Sequence, residues 1–359
     1  MKEIYSMNSM EIDSKFREYI LQGYPDFKFN YNWSNYDFVE IYLKRLMLKS
    51  MAVNCHDALL LKNLEIYIHD IEEFFVTGIS TGILNDNNFL NVVTTLNKNV
   101  RSIGHLPLEY SGCYGRSVET GIEINSHFSK HPNSPDLSSD DIRRMYIFHE
   151  LGHNIVNLTN DTFIIEYCDK FRNVLHEKGE YSIYELSREM VYAGFWLLEE
   201  ALVQELAETL AYSCVGKTRP MYRVEEDLGV KYYTNFDYYG LFQSVAMLLG
   251  NTMRGIGEYP DDPYILRGML ERVLKGNFVE ELVAEYSDGN ARLYHDLGIV
   301  LQNMGNILNE KYGTFTKKPF ESNAISALSS YKSIKKLCDK NMDFREYPEN
   351  GFGHDRFNR

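Results

Sequence analysis

Cysteine is scarce and unpatterned: Cys55, Cys113, Cys168, Cys214 and Cys338 are an odd number, scattered over 359 residues, with no C-x-x-C pair. This excludes a thiolate zinc finger, argues against a disulfide framework and points to a reducing compartment. Basic residues are also in deficit. Thirty-seven Lys and Arg face 51 Asp and Glu, a net charge of −14. Neutralising phosphates takes clustered Lys and Arg, so a general nucleic-acid binder is excluded. Lys317-Lys318 and Lys332, Lys335 and Lys336 read as solvated helix faces. No long apolar run occurs. The longest uncharged stretch, Tyr238 to Met253, contains Gly240, Gln243, Ser244 and Asn251 and falls short of the ~20 apolar residues of a membrane helix. Met1 to Tyr5 begins no signal-peptide core. The expectation is a soluble, cytoplasmic protein without a membrane partner, an exported effector lacking a leader being the alternative. No internal repeat is visible.

The composition, 44% hydrophobic and 25% charged, is that of an ordinary globular chain. From Tyr36 to about Phe75 apolar residues recur at helical spacing, Gly78 to Asn88 reads as a loop, and Phe89 to Arg101 as another helix. Glu119 to Asn125 sets Ile122 and Ile124 on one side and Glu123 on the other, a strand pattern. Ser138 and Asp141 fit the S-x-x-[DE] cap of a helix running through Ile142, Met145, His149 and Ile155. A second strong helix spans Tyr184 to Cys214, before Gly216 and Pro220; a Tyr-rich stretch and mostly helical sequence follow to Lys340, then a polar tail. The expected fold class is predominantly helical α+β. The expected organisation is a helical region at 1–105, a catalytic core at 106–216 and a mostly helical region at 217–359 that completes the cleft.

His149-Glu150-Leu151-Gly152-His153 carries the chemistry. H-E-x-x-H on a helix sets two imidazoles one turn apart on one face, able to chelate one Zn²⁺, with the Glu beside the metal as a proton acceptor. An apolar helix would otherwise bury these polar groups at a cost. Zinc needs a third protein ligand, and Asn154 to Thr159 offers no His at the metzincin spacing. A later Glu is the remaining common solution. Glu199 and Glu200 both lie in apolar stripes, whereas Glu205 and Glu208 share a more polar face and read as solvated. Neighbours on a helix lie about 100° apart, so only one of Glu199 and Glu200 can face the metal. Small residues (Ala193, Ala207, Ala211) share the stripe of Glu200 and favour it; Tyr192 and an equally apolar stripe favour Glu199.

These residues resemble a zincin-fold metallopeptidase of the gluzincin type. The likeness covers Glu119–Asn125, Ser139–Leu158 and Tyr184–Cys214. Glu200-Ala201-Leu202 resembles the E-G-[LF]-A element that carries the third ligand, with Ala201 in place of Gly, and the following acidic position falls on Gln204. The resemblance implies one zinc per chain on His149, His153 and Glu200, Glu150 as general base, a peptide or protein substrate, and a cleft-edge role for Glu119–Asn125 in pairing with that substrate. Tyr192 and His295 are candidates for stabilising the oxyanion, a comparable Tyr preceding the ligand Glu in one group of gluzincins. Two other classes compete: a regulatory metalloprotein of the repressor-cleaving or sensing kind, and a catalytically silent zinc-binding interaction scaffold. No helix-turn-helix module or basic face supports the first; metal content with a Glu150→Gln comparison separates the second.

Overall fold

The computed structural model describes residues 28–107, 115–126, 136–162, 164–169, 188–219, 223–227, 230–234, 243, 246, 265–276 and 278. They form α1 (Asp37–Val53), α2 (Ala58–Ser80), α3 (Phe89–Asn99), β1 (Ser102–His105), β2 (Gly115–Val118), β3 (Gly121–Ile124), α4 (Ser139–Val156), α5 (Arg188–Cys214), β4 (Arg223–Asp227), β5 (Val230–Thr234) and α6 (Ile265–Lys275). Mostly helical with a small sheet, this is the α+β class expected. No described helix is long and apolar enough to cross a membrane.

The amino-terminal helices form where the apolar periodicity placed them. Asp57 caps α2, its side chain accepting from the Leu60 amide at 2.9 Å. The helix runs on through Gly78, Ile79 and Ser80, residues expected in a loop, and stops where the Thr81 amide and hydroxyl both return to the Thr77 carbonyl. Glu72 of α2 is fully buried and holds the incoming chain. It accepts from the amides of Asn30 and Tyr31 at 3.1 Å and from Trp33 Nε1 at 2.9 Å. Buried Asp70 binds Arg143 (2.7 Å) and Arg144 (3.3 Å), tying α2 to the first turns of α4.

The three-stranded sheet has the order β1-β3-β2. β1 is parallel to β3, with Ser102 opposite Gly121. β2 is antiparallel to β3, with Gly115 opposite Ile124, and Glu119-Thr120 turns between them. β3 lies inside the span expected as a strand, but it is paired on both sides. The cleft-edge role expected for Glu119–Asn125 therefore cannot be filled by β3. Among the described residues β2 is the outer strand. The opposite edge is covered, because the Ile103 amide donates to Ser50 Oγ (2.8 Å) and the Ile103 carbonyl accepts from Asn54 Nδ2 (2.8 Å), both side chains of the α1 end.

Ser138 caps α4 through the expected box: the Asp141 amide donates to Ser138 Oγ at 3.2 Å and the Ser138 amide donates to Asp141 Oδ2 at 3.1 Å. α4 and α5 pack face to face in the centre of one core that also takes in α1–α3, the sheet and α6. The contact is close at Gly152, where a Cβ would lie 2.9 Å from Val203 Cγ1. α5 is buried on every side from Leu197 to Glu208. In α6, Leu266, Met269, Leu270, Val273 and Leu274 are buried at helical spacing, as that region's expected helicity requires. The β4–β5 hairpin was not expected within the Tyr-rich stretch.

Gly152→Val is expected to lower stability by about 1–3 kcal/mol through overpacking, and Val203→Ala in the same protein to return part of the loss. Chemical denaturation of the single and double variants measures both.

Candidate metal centre

α5 carries Glu199, Glu200, Gln204, Glu205 and Glu208 through its buried stretch. A buried polar group without a hydrogen-bond partner is costly, so each must find one. Their partners organise the site.

Glu199 Oε1 accepts from His153 Nδ1 at 2.8 Å. Its Oε2 accepts from the Thr159 amide (2.9 Å) and hydroxyl (3.0 Å). Asn157 makes this possible: it ends α4 in the left-handed region (φ 41°) and turns the chain so that Thr159 meets Glu199. Gln204 Oε1 faces His149 Nδ1 at 3.0 Å while Gln204 Nε2 donates to Glu208 Oε1 at 2.7 Å. Glu205 and Glu208 are bound by Arg219, at 2.6 and 2.5 Å. This corrects the expectation that they are solvated. They lie 7% and 9% exposed, because packing closes over α5 all round and a cation from beyond its end enters to pair them.

Both imidazoles are thus held by Nδ1. A carboxylate oxygen and an amide oxygen only accept, so each ring carries its proton on Nδ1, and in the neutral form Nε2 presents a lone pair. The two Nε2 atoms face one another at 3.1 Å. Glu200 straddles them, Oε2 lying 3.5 Å from His149 Nε2 and Oε1 lying 3.6 Å from His153 Nε2. One ligand atom from each of His149, His153 and Glu200 falls within 4.8 Å of the others. Three electron-pair donors aimed at one point repel unless a proton or a metal ion lies between them. Ligand nitrogens about 2.0–2.1 Å from a tetrahedral Zn²⁺ stand about 3.3 Å apart, close to the spacing of this cluster. The donor set fits a metal ion. Burial alone would lower the His153 pKa, but the Glu200, Glu199 and Glu150 carboxylates outweigh it and push the value up to about 10, a second sign of how strongly this point favours positive charge.

Glu150, next to His149, is directed elsewhere. It is 5% exposed and takes a hydrogen bond from the Ser117 backbone, while burial, the largest influence, raises its pKa. β2 lies directly on it: a Cβ at Gly115 would come within 2.8 Å of Glu150 Cγ. Asn154 Nδ2 ties the same strand to the helix, donating to Ser117 Oγ at 2.8 Å and to the Glu150 carbonyl at 3.0 Å. The imidazoles, Glu150, Glu199 and Glu200 open into a cleft of about 650 Å³ bordered by β2 and by Tyr192 and Trp196 of α5. Tyr192 is 44% exposed, and partial burial followed by the charges of Glu199 and Asp161 raises its pKa. It therefore remains a neutral donor at neutral pH.

The structure brings His149, Glu150, His153, Glu199, Glu200 and Tyr192 to one cleft. His295 lies outside the described residues, as do the side chains of Tyr232 and Tyr233 and all of Tyr238 and Tyr239. Ser117 and Thr159 were given no role from the sequence, Glu208 was read as solvated, and Arg219 was not singled out. A signal for the last two exists: a helix apolar on all sides that carries several carboxylates requires a cation, and Arg219 follows it closely. No protein-family model, curated protein or solved structure matches the chain. The likeness to gluzincins therefore stands on these residues.

Glu200→Ala is expected to weaken binding of a metal ion at this cluster, with Zn²⁺ as the probe, by orders of magnitude. Glu199→Ala should weaken it about 10–100-fold, as for the loss of a group that orients a ligand. Competition with a chromophoric chelator measures both. Equal, small losses would remove Glu200 from the ligand set.

Proposed function

We propose that the chain is a zinc-dependent peptidase of the gluzincin type, its zinc held by His149, His153 and Glu200. The observation that carries this reading is the convergence of those three donors on one point in a cleft wall, with a separate buried carboxylate, Glu150, beside it. When bound there, zinc supplies Lewis-acid polarisation of the scissile carbonyl and activation of a water.

Every other task falls to the chain. Glu150 accepts the proton of the attacking water and returns it to the leaving nitrogen. Its raised pKa suits a group that must both accept and donate near neutral pH. The Ser117 hydrogen bond and the contact with Gly115 keep its carboxylate from swinging towards the imidazoles. Tyr192, at the cleft mouth, donates to the oxyanion that develops on the substrate carbonyl. β2 borders the cleft as the outer strand of its sheet, and an extended peptide laid beside it gains sequence-tolerant backbone hydrogen bonds. That supports a peptide or protein as substrate.

Glu150→Gln tests the reading. The variant is expected to retain one zinc per chain and to lose hydrolysis of a peptide library by at least about 10²–10⁴-fold. Unchanged turnover would remove Glu150 from the reaction. Absence of zinc from the parent would end the zinc reading itself.

A further inference from the structure

The polar network extends beyond the residues that touch the cleft. Gln204 can present either end of its amide to His149, and the choice decides the proton position on the ring. An amide oxygen facing Nδ1 requires Nδ1–H and leaves the Nε2 lone pair for a metal. An NH₂ group facing Nδ1 requires a bare Nδ1, puts the proton on Nε2 and blocks it. The choice is made one turn further along α5. Glu208 Oε1 receives the Gln204 NH₂ at 2.7 Å, and Glu208 Oε2 receives Arg219 Nη2 at 2.5 Å. Arg219 has donors only. Its Nη1 binds Glu205 Oε2 at 2.6 Å and reaches Thr209 Oγ1 at 3.4 Å. Gln204, Glu205 and Glu208 are 3%, 7% and 9% exposed, so little water is at hand to substitute for these bonds.

We propose that Glu208 and Arg219 are positioning residues that set the tautomer of His149 through the amide of Gln204. The proposal rests on the reading of His149 as a metal ligand. The network runs one way: guanidinium to carboxylate, amide NH₂ to carboxylate, imidazole N–H to amide oxygen. Each link determines which end of the next group is presented. The Nδ1 of His153 is held by a separate and shorter route, Thr159 to Glu199, while the two rings face one another through Nε2 at 3.1 Å.

Glu208→Gln separates orientation from simple structural support, because it is nearly isosteric. Arg219 still offers only donors, so it takes the oxygen of the new amide at position 208 and turns that amide's NH₂ towards Gln204. Gln204 then flips, its own NH₂ faces His149 Nδ1, and the ring proton moves to Nε2. Adding Gln204→Glu repairs this without restoring the carboxylate beside Arg219, since a carboxylate at position 204 accepts from both neighbours.

Two readouts are taken on the full-length parent, E208Q and Q204E/E208Q. One is Zn²⁺ affinity by competition with a chromophoric chelator. The other is the His149 tautomer in zinc-free protein from ¹⁵N imidazole NMR. E208Q is expected to weaken zinc binding about 10–100-fold and to move His149 from the Nδ1–H to the Nε2–H form; the double variant should regain both. Parent-like affinity and tautomer in E208Q would overturn the proposal. So would a loss in E208Q that Q204E does not repair, since that result is expected of a broken Arg219 pair alone. A parent that takes up no Zn²⁺ refutes the metal reading, while the tautomer measurement still decides the relay.

Discussion

The molecule is organised by the cost of burying charge. α5 is enclosed on all sides through the stretch that carries Glu199, Glu200, Gln204, Glu205 and Glu208. Apolar packing closes the helix in, and the desolvation of its carboxylates must then be offset by partners with matching geometry. Thr159, Arg219 and the two α4 imidazoles supply them. Glu200 differs from its neighbours in kind. Its oxygens face two ring nitrogens already committed to other acceptors through Nδ1. An electron-rich point results inside a low-dielectric wall. A divalent cation satisfies all three groups at once, and that is why the site reads as a metal centre rather than as ordinary core.

The same economy explains the sheet. One edge is closed by Ser50 and Asn54, which bond both backbone groups of Ile103. The other edge, β2, borders the cleft and is tied to α4 by Ser117 and Asn154. Closing the first edge removes a template for unwanted strand pairing. Placing β2 against Glu150 gives that carboxylate a rigid neighbour and sets it apart from the donor cluster. Gly115 is required there because the Glu150 side chain occupies the space a Cβ would take. Gly152 serves the helix pair in the same way, letting α4 approach Val203 closely enough for the imidazoles to reach α5.

Much of this was legible in the residues. The capping pair Ser138 and Asp141 located the start of α4, and H-E-L-G-H located the imidazoles. The adjacent carboxylates narrowed the third donor to two. Their angular separation explains why one meets the imidazole pair from the front and the other binds a ring from behind. Gln204 stood where the resemblance places an acidic residue, and the structure sets it against a ring nitrogen. Glu205 and Glu208 were misread because polarity was taken for exposure; the surrounding side chains of α5 close over them, and Arg219, distant from the motif, supplies the cation that pairs both. The short strands left weak traces. β1 and β2 are four residues each, with glycine in both, too short for alternation to be distinctive. Pairing order is a tertiary property, so the central place of β3 could not be read from its own alternation. The polar groups around Glu150 come from separate segments that only the fold assembles.

The central proposal is that the metal ion this cluster can hold is one zinc, bound by His149, His153 and Glu200 together. Zinc K-edge X-ray absorption on stoichiometrically loaded protein tests it most directly, because it reads the ligand atoms themselves. The account requires two imidazole nitrogens at about 2.0–2.1 Å and carboxylate or water oxygens at about 2.0–2.2 Å, with no sulfur. A shell containing sulfur, a single imidazole, or oxygen alone would contradict it.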